Sequence, residues 1–395
     1  MDRYIFGSEK LPGRVDRGFN QLLSIDDLQK DAEVLEINMV LQEIFEAGRA
    51  LPTSNVTRAI DMVGLDNRGP LNRREGGIIG SAANLTSSQG LTIRSASPAS
   101  GLSSLLFLCD SGNHQVQVFD ANSGVFIRSI GTGVNGAAAG QLSYPTDAVV
   151  RVLPSGDSLL YVSDSRNNRI QLFNAETGAH VRMLGEGDLD YPCGLALHAP
   201  PAASQLPTLL FVASYKQNAV KVFNPDTGSL VRIIGPGAAT RVGAGSALDG
   251  PFFIALRTAA RGLRFQTLLY VSEYKHRVQV FDADTGALVR TIGAGDAGAG
   301  LDQLEYPRGL ALQESTPGSG APCLLYVADY SNDRIQAFDA DTGAYVRTIG
   351  AGRGSAVGQL DHPIGVTLHP GPDGSALLFV SELAAGNKRV QVFVV

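Results

Sequence analysis

Hydrophobic and polar residues follow one recurring pattern along most of the chain. A mostly apolar run such as LLYVAD, from Leu324, is typical of a buried central strand. The next segment, RIQAFD, mixes apolar Ile335 and Phe338 with polar Arg334 and Gln336, which predicts a strand with an inward and an outward side. A turn of the type DADTG follows, and the more polar AYVRTIG then suits an outer edge strand. A first strand, as in YPRGLALQ from Tyr306, precedes the apolar run, so each unit has four strands.

The four-strand unit recurs along the chain. Its characteristic phenylalanine returns 50 to 58 residues later in each copy, at Phe119, Phe173, Phe223, Phe281, Phe338 and Phe393. The chain contains 46 glycines among its 395 residues, enough to serve the many turns of such a repeat. Four-stranded units at this period with glycine-rich connections are the signature of β-propeller blades. We therefore predict an all-β, six-bladed propeller.

The two ends of the repeat predict how the ring closes. The last copy stops at VQVFVV, on its third strand, and REGGIIG ends at Gly80 much as VRTIG ends at Gly293. Residues 73–80 are therefore predicted to supply the fourth strand of the last blade. Such closure by an N-terminal strand leaves no exposed ring edge. We accordingly assign residues 73–395 to the propeller and residues 1–72 to an N-terminal extension.

The motif LLYVSDSRNNRIQLF, preceded by a QLxYPxG segment, resembles the NHL repeat family over residues 73–395. The strand-end Asp, the Asn-Arg pair and the following Ile/Val-x-x-Phe recur together. The resemblance implies a propeller with NHL-type blades. Members of that family include protein-binding modules, RNA-binding domains and a metal-dependent lyase, so the resemblance implies the fold more sharply than the function.

Charge and cysteine content favour a soluble intracellular protein. The formal net charge of −6 supplies no overall basic field for nucleic acid or anionic lipid. The three cysteines, Cys109, Cys193 and Cys323, do not pair by spacing, which favours a reducing compartment. The first residues lack the apolar core of a signal peptide, and no apolar run reaches membrane-spanning length. We predict cytoplasmic localisation and no membrane insertion.

Charges that recur at the same positions in most blades are predicted to be architectural. The second strand ends in an acid, as at Asp164, Glu273 and Asp329, and the third strand opens with arginine, as at Arg169. Blade 3 has Ser214 and Ala219 instead and so loses both partners together. This joint loss predicts an acid–arginine ion pair that braces the loop between the two strands.

Residues that differ among blades on the same loops are the candidates for function. They share an aromatic or basic side chain, and we predict that they bind a partner: Tyr215, Lys216, Tyr274, Lys275, His276, Tyr330, Phe252, Phe253 and Arg308. Tyrosine and arginine are favoured in binding hot spots because they bury large areas and keep a polar tip. Tyr144, Tyr191 and Tyr306, which precede the blade-opening prolines, have a competing interpretation as caps of their own blades.

The sequence gives less support to a catalytic site. The six histidines scatter around the predicted ring without close ligand spacing, and no Gly-x-Ser-x-Gly precedes a helix. The glycine strings lead into strands, whereas a phosphate cradle needs a following helix. Acids on the predicted loops, Asp147 among them, offer at most a cation site. We predict no catalytic residues, no metal and no cofactor.

The N-terminal extension is not blade-like. SIDDLQKDAEVLEINMVLQEIFEAGRALP predicts one helix over about residues 24–50, capped by Ser24. Two interpretations stay open: the helix packs on the propeller, or it docks into a larger assembly.

These observations favour a non-enzymatic protein-binding scaffold or a subunit of a larger complex, with the propeller face and the N-terminal arm as contacts. Two alternatives follow from the family resemblance. One is a metal-dependent lyase or hydrolase at the channel mouth, and the other is an RNA-binding propeller, although the acidic charge makes nucleic acid the poorer partner.

Overall fold

The computed structural model describes residues 85–96, 103–200, 206–235, 248–261, 264–315, 320–371, 375–383 and 388–395, together with the backbone of a strand at Ala59–Asp61. These residues form six antiparallel four-stranded sheets. The prediction of an all-β, six-bladed propeller is confirmed. The predicted helix at residues 24–50 lies outside the described residues, and the boundary between residues 72 and 73 stays a prediction.

Blades 1 to 5 run outward from an inner strand to an outer one in chain order, and blade 6 takes its outer strand from the N-terminal side. Blade 1 comprises β2 (Ser88–Arg94), β3 (Leu105–Asp110), β4 (Gln115–Asp120) and β5 (Phe126–Ile130). Blade 2 comprises β6 (Pro145–Val152), β7 (Ser158–Asp164), β8 (Arg169–Asn174) and β9 (His180–Leu184). Blade 3 comprises β10 (Pro192–His198), β11 (Leu209–Ser214), β12 (Ala219–Phe223) and β13 (Leu230–Ile234).

The second half of the ring repeats this order. Blade 4 comprises β14 (Pro251–Arg261), β15 (Arg264–Glu273), β16 (Arg277–Asp282) and β17 (Leu288–Ile292). Blade 5 comprises β18 (Pro307–Gln313), β19 (Leu324–Asp329), β20 (Arg334–Asp339) and β21 (Tyr345–Ile349). Blade 6 comprises β22 (Pro363–Pro370), β23 (Ala376–Glu382), β24 (Val390–Val394) and β1 (Ala59–Asp61).

An N-terminal strand closes the ring, but not the predicted one. The outer strand of blade 6 is β1, in which Ile60 pairs with Val392 and Asp61 with Gln391. Residues 73–80, which the pattern assigned to this edge, lie outside the described residues, and β1 falls within the predicted extension. The reason is that Met62-Val63-Gly64 and Ile78-Ile79-Gly80 both place two apolar residues before a glycine. A three-residue edge pairing needs too little sequence for the pattern to separate them.

The core lies between neighbouring blades. All six repeat phenylalanines are at most 3% exposed, which confirms their predicted inward orientation. Phe338 of blade 5, for example, packs in one cluster with Tyr270, Val278 and Val280 of blade 4. Burial of a large apolar side chain of this kind contributes about 2 kcal/mol. Each blade is therefore stabilised mainly by the next one.

The third strand departs from the predicted alternation. Gln336 on β20 is fully buried, and its amide donates to the Gln303 carbonyl at 2.6 Å and to Asp329 Oδ2 at 3.2 Å. Gln171 on β8 is buried in the same way and donates to Asp164 Oδ2 at 3.0 Å. The expectation of an outward polar side is wrong here because both faces of the strand are covered by neighbouring blades. The glutamine is retained because it satisfies a buried carboxylate and a loop carbonyl.

Candidate binding site at the channel mouth

The loop between the second and third strands builds one rim of the site. In four blades it begins with a short 3-10 turn: Ser111–Asn113, Ser165–Asn167, Tyr215–Gln217 and Tyr330–Asn332. A residue in the left-handed conformation then precedes the third strand, such as Asn168 with φ of 55°. Asparagine tolerates this conformation better than most residues. This explains the asparagine before arginine in the repeat motif.

The side chain of this left-handed residue clamps the next blade. It accepts the backbone N–H of the residue before the next blade-opening proline. The pairs are Tyr144 N–H to His114 Nδ1 (3.3 Å), Tyr191 N–H to Asn168 Oδ1 (2.8 Å), Tyr306 N–H to His276 Nδ1 (3.1 Å) and His362 N–H to Asp333 Oδ1 (2.8 Å). In blade 4 the clamped residue is Gly250, whose N–H binds Asn218 Oδ1 at 2.8 Å. His276, a predicted binding residue, therefore also has a role in joining two blades.

Buried ion pairs brace the same loops. The predicted acid–arginine pair joins Arg169 to Asp164 at 2.8 Å, and three further blades carry it as Arg277–Glu273 (2.5 Å), Arg334–Asp329 (2.7 Å) and Arg389–Glu382 (2.5 Å). The same carboxylates accept backbone N–H groups of the loop that leads into the inner strand, which we call the leading loop. Asp164, for example, accepts the Ser143 N–H at 2.6 Å. In blade 3 the Ser214 hydroxyl accepts the Asp190 N–H at 3.1 Å instead. The architectural interpretation of these charges is confirmed.

Aromatic side chains from both sets of loops meet around the channel mouth. We call this surface the channel-mouth face, and it comprises Tyr144, Tyr191, Tyr215, Phe252, Tyr274, Tyr306, Arg308, Tyr330 and His362. The neighbouring rings contact in pairs: Tyr191–Tyr215 at 6.0 Å, Tyr215–Phe252 at 4.9 Å, Tyr274–Tyr306 at 4.9 Å and Tyr330–His362 at 4.7 Å between centroids. Tyr144 receives the guanidinium of Arg166 at 4.7 Å. The tyrosines before the prolines thus contact the variable residues of the neighbouring loops.

Five of the nine predicted binding residues belong to this face. Tyr215, Phe252, Arg308 and Tyr330 form a continuous line across blades 3, 4 and 5. Phe253 is only 5% exposed and lines the central channel below the face.

The two predicted lysines lie on the same rim and are paired. Lys216 lies 3.6 Å from Asp190 and Lys275 lies 3.1 Å from Asp249. Both ion pairs join a loop after a second strand to the loop that leads into the inner strand of the same blade. Exposed pairs of this kind contribute little stability, about 1 kcal/mol or less. They do, however, reduce the positive charge that the lysines present to a ligand.

A bulge at the start of every inner strand sets which side chains reach the mouth. In each blade the pairing of inner and second strand skips two residues, as between Pro192 and Leu195. The first skipped residue, here called the mouth position, is Gln89, Thr146, Cys193, Phe252, Arg308 or Ile364 in blades 1 to 6. The second skipped residue is Gly90, Asp147, Gly194, Phe253, Gly309 or Gly365. Bulges re-aim side chains next to binding sites.

Four glycines at the second skipped position allow the inner strands to approach closely. A Cβ added at Gly194 would lie 2.6 Å from the Phe253 Cα, and one at Gly309 would lie 2.4 Å from the Ile364 carbonyl oxygen. No side chain fits at such distances. Asp147 and Phe253 are the exceptions in blades 2 and 4, and both line a cavity of about 140 Å³ in the channel.

Asp147 is a buried carboxylate in this channel. Its Oδ2 accepts the N–H of Leu195 from the neighbouring blade at 2.9 Å. Burial raises the pKa of Asp147 to about 7, although hydrogen bonds from the Leu195 and Ala148 N–H groups oppose the shift. No ion pair involves it within the described part of the chain. The sequence placed Asp147 on a solvated loop, and the signal that could have placed it is its position where other blades carry glycine.

Arg308 is the cation of the mouth. Its Cζ lies 3.6 Å from the Phe252 ring centroid and 5.2 Å from that of Tyr330. Burial lowers the pKa of the Arg308 guanidinium, and the neighbouring Tyr330 and Cys193 oppose that change. Arginine starts from so high a pKa that it stays charged at neutral pH. Cys193, at the mouth position of blade 3, is buried and its pKa is raised by the same loss of solvent.

One group of side chains on the rim has metal-ligand character. Ligand atoms of Asp333, Asp361 and His362 lie within 4.8 Å of one another. The Arg353 guanidinium already lies 3.1 Å from Asp361 and 3.9 Å from Asp333, and His362 Nδ1 lies 2.8 Å from Asp361. The chain's own cation therefore already compensates part of the charge of the two carboxylates, and a metal would have to compete with it.

Comparisons with known proteins support the fold. Two similar solved structures are described as auxiliary nutrient binding proteins. The one from Bacteroides thetaiotaomicron has a TM-score of 0.53 and 13% identity, covering 85% of this chain and 75% of that chain. The one from Bacteroides ovatus has a TM-score of 0.53 and 15% identity, covering 78% and 69%. At this identity the likeness shows a shared propeller-type fold alone.

The sequence comparisons return no relative. No family model and no curated protein matches the chain. The resemblance to NHL repeats therefore stays a prediction that rests on the repeat motif itself.

No helix among the described residues is long and apolar enough to cross a membrane.

Proposed function

We propose that this chain is a non-enzymatic binding scaffold, or a subunit of a larger assembly, that holds a protein partner on its channel-mouth face. The observation that carries the proposal is the line Tyr215–Phe252–Arg308–Tyr330, which joins three blades through ring and cation–aromatic contacts. Rigid aromatic anchors beside an arginine are the composition of binding hot spots. Tyr274, 47% exposed, extends this surface to its outer side.

The framework of the face supports the same proposal. The leading loops of blades 2 to 6 are each fixed by a clamp from the previous blade and by the residue that ends their own second strand, an acid in every case except Ser214 of blade 3. Such loops lose little conformational entropy on binding, and pre-organisation of this kind favours affinity. The two similar solved structures are also described as binding proteins, which is consistent with a binding role for the fold.

The RNA-binding alternative loses its main support. Lys216 and Lys275, the lysines on which it depends, each lie within 4 Å of an aspartate. Nucleic-acid affinity comes largely from cations that are free to neutralise phosphates. For the lyase or hydrolase alternative, the candidate carboxylates Asp333 and Asp361 already lie beside Arg353, and His362 already contacts Asp361.

The proposal is tested by co-purification from native lysate with the full chain carrying an affinity tag. We expect the Tyr274→Ala/Tyr330→Ala variant to lose a partner that the wild-type chain retains in stoichiometric amount. The matched control is Phe126→Ala on β5, because Phe126 is a similarly exposed aromatic (50%) on an outer strand. Equal retention by both variants would remove the channel-mouth face from the proposal. Loss by both would indicate a contact on the side of the ring.

A further inference from the structure

Arg308 differs from Lys216, Lys275 and Arg353 on the rim because it has no counter-charge. Lys216, Lys275 and Arg353 each lie within 4 Å of a carboxylate. Arg308 makes no ion pair and no hydrogen bond with any residue that the structure describes, and its Nε is buried without a partner. A desolvated guanidinium without a partner is costly to maintain. A ligand that supplies the missing negative charge would offset this free-energy cost.

The surroundings of Arg308 define how such a ligand would approach. The Phe252 ring lies 3.6 Å from Cζ and Tyr330 lies 5.2 Å from it, so aromatic groups cover the flat side of the guanidinium. Its N–H donors lie in the guanidinium plane, so stacking on a ring does not use them. A planar carboxylate matches this edge with two parallel hydrogen bonds.

The charge of the mouth favours one negative charge over two. Arg308 is the cation at the mouth position, where the other five blades carry Gln89, Thr146, Cys193, Phe252 and Ile364. Asp147, one position further into the channel, adds negative charge whenever it is ionised. A phosphate dianion would therefore keep an uncompensated charge in a partly desolvated site, whereas a carboxylate would not.

We propose that Arg308 receives a single carboxylate group at the channel mouth, with Phe252 and Tyr330 as the aromatic walls of the site. This inference rests on the proposed function, in which the channel-mouth face is the contact surface. The carboxylate is then an acidic side chain or C-terminus of the bound protein, or it belongs to a free organic acid. Both sources present the same group to Arg308, and the experiment below separates them.

The first measurement is saturation-transfer difference NMR on the full chain with benzoate as the probe and benzamide as its neutral, planar analogue. We expect the wild-type chain to give a benzoate signal. Arg308→Gln should lower the affinity for benzoate about 10- to 100-fold, because a charge-assisted pair is lost. Arg308→Lys should recover only part of it, because lysine keeps the charge without the planar fork. Arg353→Gln is the matched control, since its guanidinium lies on the same rim beside Asp361, and it should leave the signal unchanged. Unfolding temperatures of all variants check that the ring is intact.

Three results would overturn the assignment. They are equal benzoate signals for wild type and Arg308→Gln, equal signals for benzoate and benzamide, and stronger Arg308-dependent displacement by inorganic phosphate than by acetate. If Arg308→Gln abolishes benzoate binding and also releases the co-purified partner, the carboxylate belongs to that partner. If it abolishes benzoate binding and the partner stays, the site serves a free organic acid. A third combination separates the two proposals. If Tyr274→Ala/Tyr330→Ala loses the partner, while Arg308→Gln keeps both the partner and benzoate binding, the carboxylate site is refuted and the proposed function stands.

Discussion

The acid–arginine pair shows how single residues stabilise the loops of this ring. Asp164 is fully buried, and it binds Arg169, Gln171 and the Ser143 N–H together. Removing one member of a buried pair leaves the other charge without compensation, which costs more than removing both. Blade 3, with Ser214 and Ala219, is a natural example of the double replacement.

A double-mutant cycle tests this account of the pair. We expect Arg169→Ala to lower the free energy of unfolding by about 3 kcal/mol or more. Asp164→Ser/Arg169→Ala should lower it by less than Arg169→Ala alone, because the serine can accept the leading-loop N–H as Ser214 does. Asp164→Ser alone completes the cycle, and urea denaturation measures the free energy of unfolding of all three variants. Simply additive losses would show that the two side chains act independently.

Asp147 predicts a pH dependence of stability. Its pKa is raised to about 7 in the folded chain from 3.8, the ordinary value expected after unfolding. The fold therefore favours the protonated form, and the associated stability is present below about pH 4 and lost as the pH rises to about 7. The loss is on the order of a few kcal/mol.

The Asp147→Asn variant isolates this effect. It keeps an oxygen for the Leu195 N–H and cannot ionise, so its stability relative to the wild-type chain should rise between pH 4 and pH 7. Asp190→Asn, at the exposed rim, is the matched control for the replacement of an aspartate by asparagine. A pH-independent difference between Asp147→Asn and the wild-type chain would mean that Asp147 is ionised throughout.

The sequence could predict the burial of a residue where the pattern within its own strand determines that burial. Phe338 and its five equivalents were predicted to be buried because a repeating strand pattern fixes them. The isolation of Arg308 was not predictable, because it depends on Phe252 of the neighbouring blade and on carboxylates that pair elsewhere. The burial of Gln336 and Asp147 was missed for the same reason: faces covered by neighbouring blades do not follow from the alternation within one strand.

At the scale of elements, the clamp between consecutive blades is the recurring device. In blades 1 to 5 a left-handed residue before the third strand accepts a backbone N–H from the next leading loop, and Asn168 and His276 do so at 2.8 and 3.1 Å. The sequence motif predicted the Asn-Arg pair but not this contact, because its partner lies 23 to 32 residues further along the chain, in the next blade.

Substitution of His276 tests the clamp. His276→Asn copies blades 2 and 3, keeps an acceptor and suits the left-handed conformation, so we expect it to retain most of the stability. His276→Ala should lose about 1–2 kcal/mol, because the Tyr306 N–H loses its acceptor. Thermal unfolding compares the two variants. Equal losses would assign the contribution of His276 to its ring contact with Tyr306, at 4.6 Å, and not to the clamp.

At the scale of the whole molecule, ring closure is the feature that the sequence predicted only in part. That an N-terminal strand completes the last blade was correct, and its location was not. The register of Ile60 with Val392 places the strand well before the segment that the glycine pattern suggested. The edge of β24 is paired by three residues only, so its sequence requirement is slight.

Two shortened chains distinguish the closing segments. A chain that begins at Thr57 keeps β1 and should unfold at the temperature of the full chain. One that begins at Leu71 loses β1, exposes the edge of β24 and should unfold several degrees lower. Thermal unfolding by circular dichroism measures both. Equal unfolding temperatures would indicate that residues 73–80 supply the closing strand.

The central claim is that the channel-mouth face holds a protein partner, and site-specific photo-crosslinking tests it most directly. A photoreactive phenylalanine analogue is placed at position 274 on the face, or at position 126 on the outer strand β5, in the full chain. The account predicts one partner crosslinked in high yield from position 274 and absent from position 126. Crosslinking of that partner from position 126 alone would contradict it and would place the contact on the side of the propeller.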